Sequence, residues 1–159
     1  MTNPTNQIPL LWDRLAGSRL GPRLFSRVLG RIVPYSGTIK PQVLELRSGF
    51  ARVEMKDRRP VRNHLNSIHA IAVANLGELA SGLALNYGLP AHARAILTGI
   101  TVEYLKKARG TLLAESATKV PDGLEREELE VETLIRDLDG EVVARSVARW
   151  LVGPREAKG

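Results

Sequence analysis

Cysteine is missing from the sequence altogether, and histidine is scarce. The absence of cysteine excludes a disulfide framework, a thiolate metal site and a cysteine nucleophile. The histidines are His64, His69 and His92, and their spacing matches no recognised pattern of metal ligands. The sequence therefore predicts no metal site and no cofactor held by the protein.

Aromatic residues make up only 4% of the chain, and no long apolar run stands near its start. Proteins that bind single-stranded nucleic acid stack bases on aromatic side chains set among basic ones, so we do not expect a nucleic-acid partner. The opening segment MTNPTNQIPLLWDR has the features of neither a signal peptide nor a membrane span. We expect a cytoplasmic protein without stable membrane insertion.

The remaining composition is that of an ordinary globular protein, with 43% hydrophobic and 25% charged residues. A chain of 159 residues can bury one core, which predicts a single domain over residues 1–159. The net charge of +6 is uneven, because residues 1–62 carry 12 Lys and Arg against 4 Asp and Glu. Such an excess fits nucleic acid, an anionic membrane surface or a phosphate-bearing molecule such as coenzyme A.

Residues 10–33 show the apolar spacing of two short amphipathic helices, interrupted near Gly21 and Pro22. Four arginines recur every fourth residue and form one basic stripe: Arg19, Arg23, Arg27 and Arg31. A stripe of this kind is usually a solvated helix face. Binding to a membrane surface or to phosphate is the alternative interpretation.

Strand-like segments surround one long apolar segment. Residues 38–56 predict a β-hairpin that turns at Ser48 and Gly49, and a charged loop follows over residues 57–64. Ser67 is the expected N-cap of a helix over residues 68–85. Four further strands are predicted, over residues 95–106, 111–120, 129–137 and 142–152, joined by short turns typical of antiparallel neighbours.

The segment 68–85 is apolar on nearly every side, which predicts a helix buried all round with a sheet of five or six strands curled about it. Glu78 is its single charge. An unpaired carboxylate in apolar surroundings costs several kcal/mol, so Glu78 either carries a function, pairs with an arginine or emerges at a surface edge. His69 lies nine residues earlier and projects from nearly the opposite helix face.

The trio Asn63, His69 and Glu78 resembles the pattern of hotdog-fold thioesterases of the phenylacetate-pathway and 4-hydroxybenzoyl-CoA types. In those families an Asn is followed six residues later by His-Gly-Gly, and nine residues after the His by an acidic residue. The strand and turn over residues 100–112 are also similar to the family. The resemblance covers residues 38–152 and implies a hotdog core, preceded by a helical extension over residues 1–36.

The resemblance implies an acyl-CoA thioesterase whose active site is built between the subunits of a homodimer, and both a dimer and a dimer of dimers remain open. Glu78 would be general base or nucleophile, the N–H of Ala70 at the helix start would bind the oxyanion, and Asn63 would position water or substrate. His69 would shape the helix start. Further substrate contacts are expected from Ile71 and from these residues of the following strand and turn: Thr101, Lys106, Lys107 and Arg109.

Three functions remain open on the sequence: an acyl-CoA thioesterase, a non-catalytic acyl-thioester binding module of the same fold, and a basic surface-binding protein. Hotdog dehydratases, which use a longer spacing between the His and the carboxylate, rank below them. Ala70 and Ile71 replace the family's Gly-Gly. This replacement narrows the expected pocket and keeps the binding-module hypothesis open. The lysines and Arg109 fit the coenzyme phosphates and a solvated turn equally well.

Overall fold

A computed structural model describes residues 7–155. Helix α1 spans Gln7–Leu15, helix α2 spans Gly21–Ile32, and the single turn α3 spans Pro34–Gly37. The break between the two predicted helices is confirmed, since Pro22 stands in the first turn of α2, where a missing N–H costs nothing. Residues 1–6 of the predicted extension lie outside the described residues.

All six strands form one antiparallel sheet. They are β1 (Gln42–Arg47), β2 (Phe50–Met55), β3 (Ala93–Tyr104), β4 (Leu112–Ala117), β5 (Glu127–Arg136) and β6 (Val142–Pro154). Their order across the sheet is β1-β2-β4-β5-β6-β3. The predicted hairpin and the four later strands are therefore confirmed, with β4 ending at Ala117 rather than at residue 120.

Helix α4 (Ala70–Gly88) lies across one face of this sheet and contacts all six strands. Leu76, Ala80 and Leu85 are completely buried there. Gly77 lets the helix approach closely, because a Cβ at that position would stand 2.3 Å from the Ser146 hydroxyl of β6. The predicted hotdog arrangement, an antiparallel sheet wrapped around a central apolar helix, is confirmed.

The opposite face of the sheet is solvated and carries charges paired across neighbouring strands. Arg52 of β2 bonds Glu115 of β4 at 2.5 Å. Arg145 of β6 pairs with Glu132 of β5 and, at 3.9 Å, with Glu103 of β3. The sheet thus has one apolar face against α4 and one ionic face toward water.

The two edges of the sheet differ. Strand β1 is six residues long, and its Val43 N–H donates to the Ser26 hydroxyl of α2 at 2.8 Å. Strand β3 is twelve residues long, and within residues 7–155 it pairs on one side only, with β6. Ile96, Ile100 and Tyr104 are exposed along it. A long apolar edge of this kind is a template for pairing with another strand.

Candidate active site

Glu78 lies in the middle of α4, between the buried residues Gly77 and Leu79. Burial raises the pKa of its carboxyl above the ordinary value of 4.5, and no charge among the described residues opposes this. Within residues 7–155 no hydrogen bond or ion pair reaches the carboxylate. The alternative that Glu78 pairs with an arginine therefore finds no support among these residues.

A cavity of about 310 Å³ opens beside Glu78. Trp150 of β6 lines it and is held in place by a 3.2 Å hydrogen bond from its indole N–H to the Ser81 hydroxyl. Gly82 leaves room between the two, since a Cβ there would stand 3.2 Å from the Trp150 ring and 3.8 Å from a Glu78 carboxylate oxygen. The carboxylate thus faces space large enough for an organic group.

The start of α4 departs from the prediction. Ser67 is not the N-cap; the helix begins at Ala70 and His69 caps it, with Nδ1 accepting the Ile71 N–H at 3.1 Å. The cause lies in the preceding loop, where Asn63 Oδ1 accepts both the N–H and the hydroxyl of Ser67 at 3.2 Å. Ser67 is therefore committed to the loop before the helix starts.

Two donors beside the helix start have no acceptor among residues 7–155: the backbone N–H of Ala70 and the side-chain amide of Asn63. The carbonyl of His69 accepts the N–H groups of Ala72 and Val73, whereas the Ala70 N–H has no partner within the described chain. The Asn63 amide nitrogen also makes no hydrogen bond there, because only its oxygen serves the loop. Unpaired N–H groups at the first turn of a helix form a site of positive partial charge that suits an oxyanion.

A second cavity, of about 350 Å³, lies at this helix start and is lined by Asn63, Ala70 and Tyr104 among others. The Tyr104 hydroxyl donates to the Ala70 carbonyl at 2.9 Å. Tyr104 was not among the predicted site residues, although its position near the end of a predicted strand that follows the helix was the available signal. The structure thus brings Asn63, His69 and Ala70 together, and it places Glu78 in the other cavity.

The proposed coenzyme contacts lie on the surface. Lys106 pairs with Asp137 at 3.3 Å and with Glu141, while Lys107 and Arg109 are exposed beside it around a cavity of about 360 Å³. Thr101 is exposed on β3, and the side chain of Ile71 is 55% exposed. The basic stripe of the N-terminal helical region is exposed to solvent, as expected of a solvated helix face. All four of its members are exposed: Arg19, Arg23, Arg27 and Arg31.

Asp57 braces the loop that carries Asn63. Its carboxylate accepts from Arg62 at 2.6 Å and from the Gly110 N–H at 3.0 Å. The Arg62 hydrogen bond lowers the pKa of Asp57, and burial partly opposes this shift.

A cluster of metal ligands and a membrane-spanning helix are both absent from the part of the chain that the structure describes. No three His, Asp or Glu side chains there stand close enough to hold a metal ion. None of the helices between residues 7 and 155 is both long and apolar enough to cross a membrane.

Comparison with known proteins places the chain in a family. Residues 21–152 match the model described as "Domain of unknown function (DUF4442)". No functionally curated protein matches the chain. A structural-genomics protein designated APC5556 is 34% identical over 95% of this chain and 99% of its own, with a TM-score of 0.81.

Two further solved structures share the fold at lower identity. One is PA5026 from Pseudomonas aeruginosa, described as a probable thioesterase, with 23% identity, 84% of this chain and 94% of its own covered, and a TM-score of 0.71. The other, a thioesterase family protein from Silicibacter pomeroyi, has 18% identity, coverages of 82% and 96%, and a TM-score of 0.69. The chain thus has a hotdog fold and belongs to the DUF4442 family.

Proposed function

We propose that this protein is an acyl-CoA thioesterase that acts as a homodimer in the cytoplasm. The observation that carries the proposal is the Glu78 carboxylate, which is partly buried, without a partner among residues 7–155, and open to a cavity. An unpaired carboxylate of raised pKa holds a proton more readily than an ordinary one, which suits it to accept a proton from water in catalysis. The thioesterase descriptions of structures with the same fold support this choice of reaction.

One chain by itself does not assemble the proposed site. Ala70 and Glu78 are eight residues apart on one helix, which corresponds to about 12 Å along its axis. A single thioester carbonyl cannot contact both groups at that separation. The Ala70 N–H and the Glu78 carboxylate that act together must therefore come from different subunits.

Strand β3 offers the geometry for such a site. Its Tyr104 end touches Ala70, and its opposite end, at Arg94 and Ala95, lines the cavity of Glu78. If two copies of β3 pair antiparallel about their midpoints, Tyr104 of one subunit faces Ala93 of the partner subunit. The helix start of each subunit is thereby brought toward the partner's Glu78, and both open edges are covered.

In the proposed reaction a water attacks the thioester carbonyl carbon while Glu78 accepts one proton from that water. The oxyanion that forms is stabilised by the Ala70 N–H, and the free amide of Asn63 donates to the water or the substrate. The C–S bond then breaks and Glu78 returns the proton to the thiolate. The products are a carboxylic acid and coenzyme A as the free thiol. His69 holds the helix start in place.

Nucleophilic attack by Glu78 is the alternative route to the same products. The carboxylate would displace the thiolate and form a mixed anhydride, which water would then hydrolyse. The two routes differ in a single turnover in ¹⁸O-labelled water. The anhydride route places label in the Glu78 side chain whenever water attacks the carboxyl of that residue, whereas general-base catalysis labels the acyl product alone.

A binding module without hydrolysis is the second candidate, favoured by Ala70 and Ile71 in place of two glycines. Release of free thiol from a panel of acyl-CoAs separates the two. Turnover by the wild type that Glu78→Gln abolishes supports the thioesterase. Saturable binding of acyl-CoA with no thiol release across the panel supports the binding module.

We propose coenzyme A as the carrier of the acyl group because Lys107 and Arg109 lie near the proposed site. Substrates on acyl carrier protein, included in the panel, test this preference.

A further inference from the structure

The cavity beside Glu78 has walls from two parts of the chain. Leu79 and Leu83 of α4 form one side. The other side consists of Ile8 of α1, Leu29 of α2 and Val33, which all precede the hotdog core. Ile8 and Leu29 are buried, so their side chains pack inside the protein and not against solvent. The N-terminal helices thus close a cavity that the core alone would leave open. Its walls are apolar on these two sides, while Ser36 and Arg94 add polar groups to the lining.

This wall is anchored firmly. Trp12 of α1 meets Phe25 of α2 edge to face, with ring centroids 4.9 Å apart. The Tyr87 hydroxyl at the end of α4 donates to the Asp13 carboxylate of α1 at 2.5 Å, and this bond raises the pKa of Tyr87 to about 12. A wall fixed at both helices can discriminate ligands by size, which a loose cover could not.

The cavity also has a measurable length. Glu78, Gly82 and Asn86 follow one face of α4 at intervals of four residues and all line the cavity. Eight residues of helix span about 12 Å. The Asn86 amide, which donates to the Gly82 carbonyl at 2.8 Å, and Arg155 make the far end polar. A hydrocarbon entering at Glu78 therefore gains apolar contact only as far as Asn86.

An extended chain advances roughly 1.2 Å per bond, since three bonds of an extended backbone cover about 3.3–3.6 Å. About 12 Å then corresponds to roughly eight to ten carbons. Eight methylene groups, each about as large as the ~30 Å³ share of a water molecule, require about 240 Å³. The cavity of about 310 Å³ accommodates them.

We infer that this cavity is the acyl-chain pocket, that it takes an unbranched aliphatic chain of about eight carbons, and that Ile8, Leu29 and Val33 set the chain length. The inference rests on the proposed function, because it places the thioester carbonyl at Glu78. It names the N-terminal helices as the determinant of substrate specificity.

Two series of ligands test the inference, each running from acetyl to palmitoyl. Acyl-CoAs report hydrolysis, and the corresponding non-hydrolysable thioethers of coenzyme A report binding by calorimetry. For the wild type both series should peak near octanoyl. Leu29→Ala opens the wall and should raise the preference for dodecanoyl over octanoyl by about tenfold or more, while Val33→Phe should favour shorter chains. Leu24→Ala on the same helix is the matched control, because Leu24 is 45% exposed and lies outside the cavity.

The buried Leu29 makes its truncation the riskier change for folding. Ile8→Ala, in the first turn of α1, is the second variant, and thermal melting identifies those that fold. Folded Ile8→Ala and Val33→Phe variants with the wild-type chain-length profile, or an equal shift in Leu24→Ala, overturn the inference while leaving hydrolysis standing. A chain-dependent binding profile that shifts as expected, without any hydrolysis, supports the pocket and refutes the thioesterase reaction instead.

Discussion

Replacing Glu78 with glutamine separates a catalytic carboxylate from a structural one. Glutamine keeps the shape and a hydrogen-bonding end but cannot accept the proton of the attacking water. We expect the rate of acyl-CoA hydrolysis to fall by about a hundredfold or more, as for the loss of a general base, with binding of the thioether analogue retained. That loss corresponds to at least about 2.7 kcal/mol of transition-state stabilisation.

The stability of the same variant should move in the opposite direction. An unpaired, fully buried charge costs several kcal/mol, and the partial exposure of Glu78 reduces this to about 1 kcal/mol that glutamine does not incur. For a domain of this size the melting temperature at pH about 8 should rise by about 2–4 °C. If the Glu78 carboxylate instead took part in a structural ion pair, its replacement would destabilise the folded protein by about 3 kcal/mol.

The pH dependence gives a second signature. Because burial raises the pKa of Glu78, the folded state binds its proton more readily than the unfolded chain. The stability from this group is therefore complete below the unfolded value of 4.5 and is lost as pH rises through the raised folded pKa. Glutamine does not titrate, so its advantage should be largest at pH about 8 and should vanish near pH 4. Hydrolysis by the wild type should decline as pH falls through the same raised pKa.

Thermal unfolding at several pH values, together with thiol release, measures all of these effects. Glu128→Gln is the matched control, since Glu128 is exposed on β5, and it should change stability by less than about 0.5 kcal/mol. A Glu78→Gln protein that is less stable than wild type at pH about 8 and still hydrolyses acyl-CoA at the wild-type rate would refute the reasoning.

The Ala70→Pro variant should fold, because proline is accepted at the first helical position and His69 already has the extended ψ of 138° that precedes proline. The variant has no N–H at residue 70 to bind the oxyanion, so its turnover should fall by about a hundredfold. Ala70→Ser is its control, and equal rates in both variants would exclude the N–H. Light scattering should show a dimer of the 17.5 kDa chain at micromolar concentration. The Ile100→Lys change on β3 should weaken the dimer and lower turnover in parallel. A stable wild-type monomer would contradict a site shared between subunits. Replacing all four arginines of the basic stripe with glutamine should leave turnover of a short acyl-CoA unchanged: Arg19, Arg23, Arg27 and Arg31. A folded variant without activity would show that the stripe takes part in the reaction.

Hydrophobic patterning was sufficient to predict a sheet curled about a buried helix, and the resemblance carried by Asn63, His69 and Glu78 implied that this arrangement is a hotdog fold. A helix apolar on all sides can only be buried, and the strands around it alternate with the period of a sheet, so α4, the hairpin of β1 and β2, and the four later strands follow from local sequence. The N-cap predicted at Ser67 was wrong, because the Ser67 hydroxyl donates to Asn63 Oδ1 and this bond competes with capping of the helix. Patterns of residue type do not show which of two local bonds forms.

The candidate site was predictable only in part. Glu78 stood out because a lone charge in an apolar helix requires an explanation. The cavity beside it could not be foreseen, since its walls come from residues as distant in sequence as Ile8 and Leu83. Amphipathic spacing predicts that a helix such as α1 buries one face, but not which part of the molecule receives that face.

The paired charges on the outer face of the sheet bear on higher assembly. Stacking two dimers through these faces would remove water from Arg52, Glu115, Arg145 and Glu132 together, and the attraction within each pair already exists before stacking. The desolvation would have no new contact to offset it. Any tetramer of this protein should therefore leave the ionic face in water and join dimers elsewhere, and its stability should depend little on salt concentration in the range that screens these pairs.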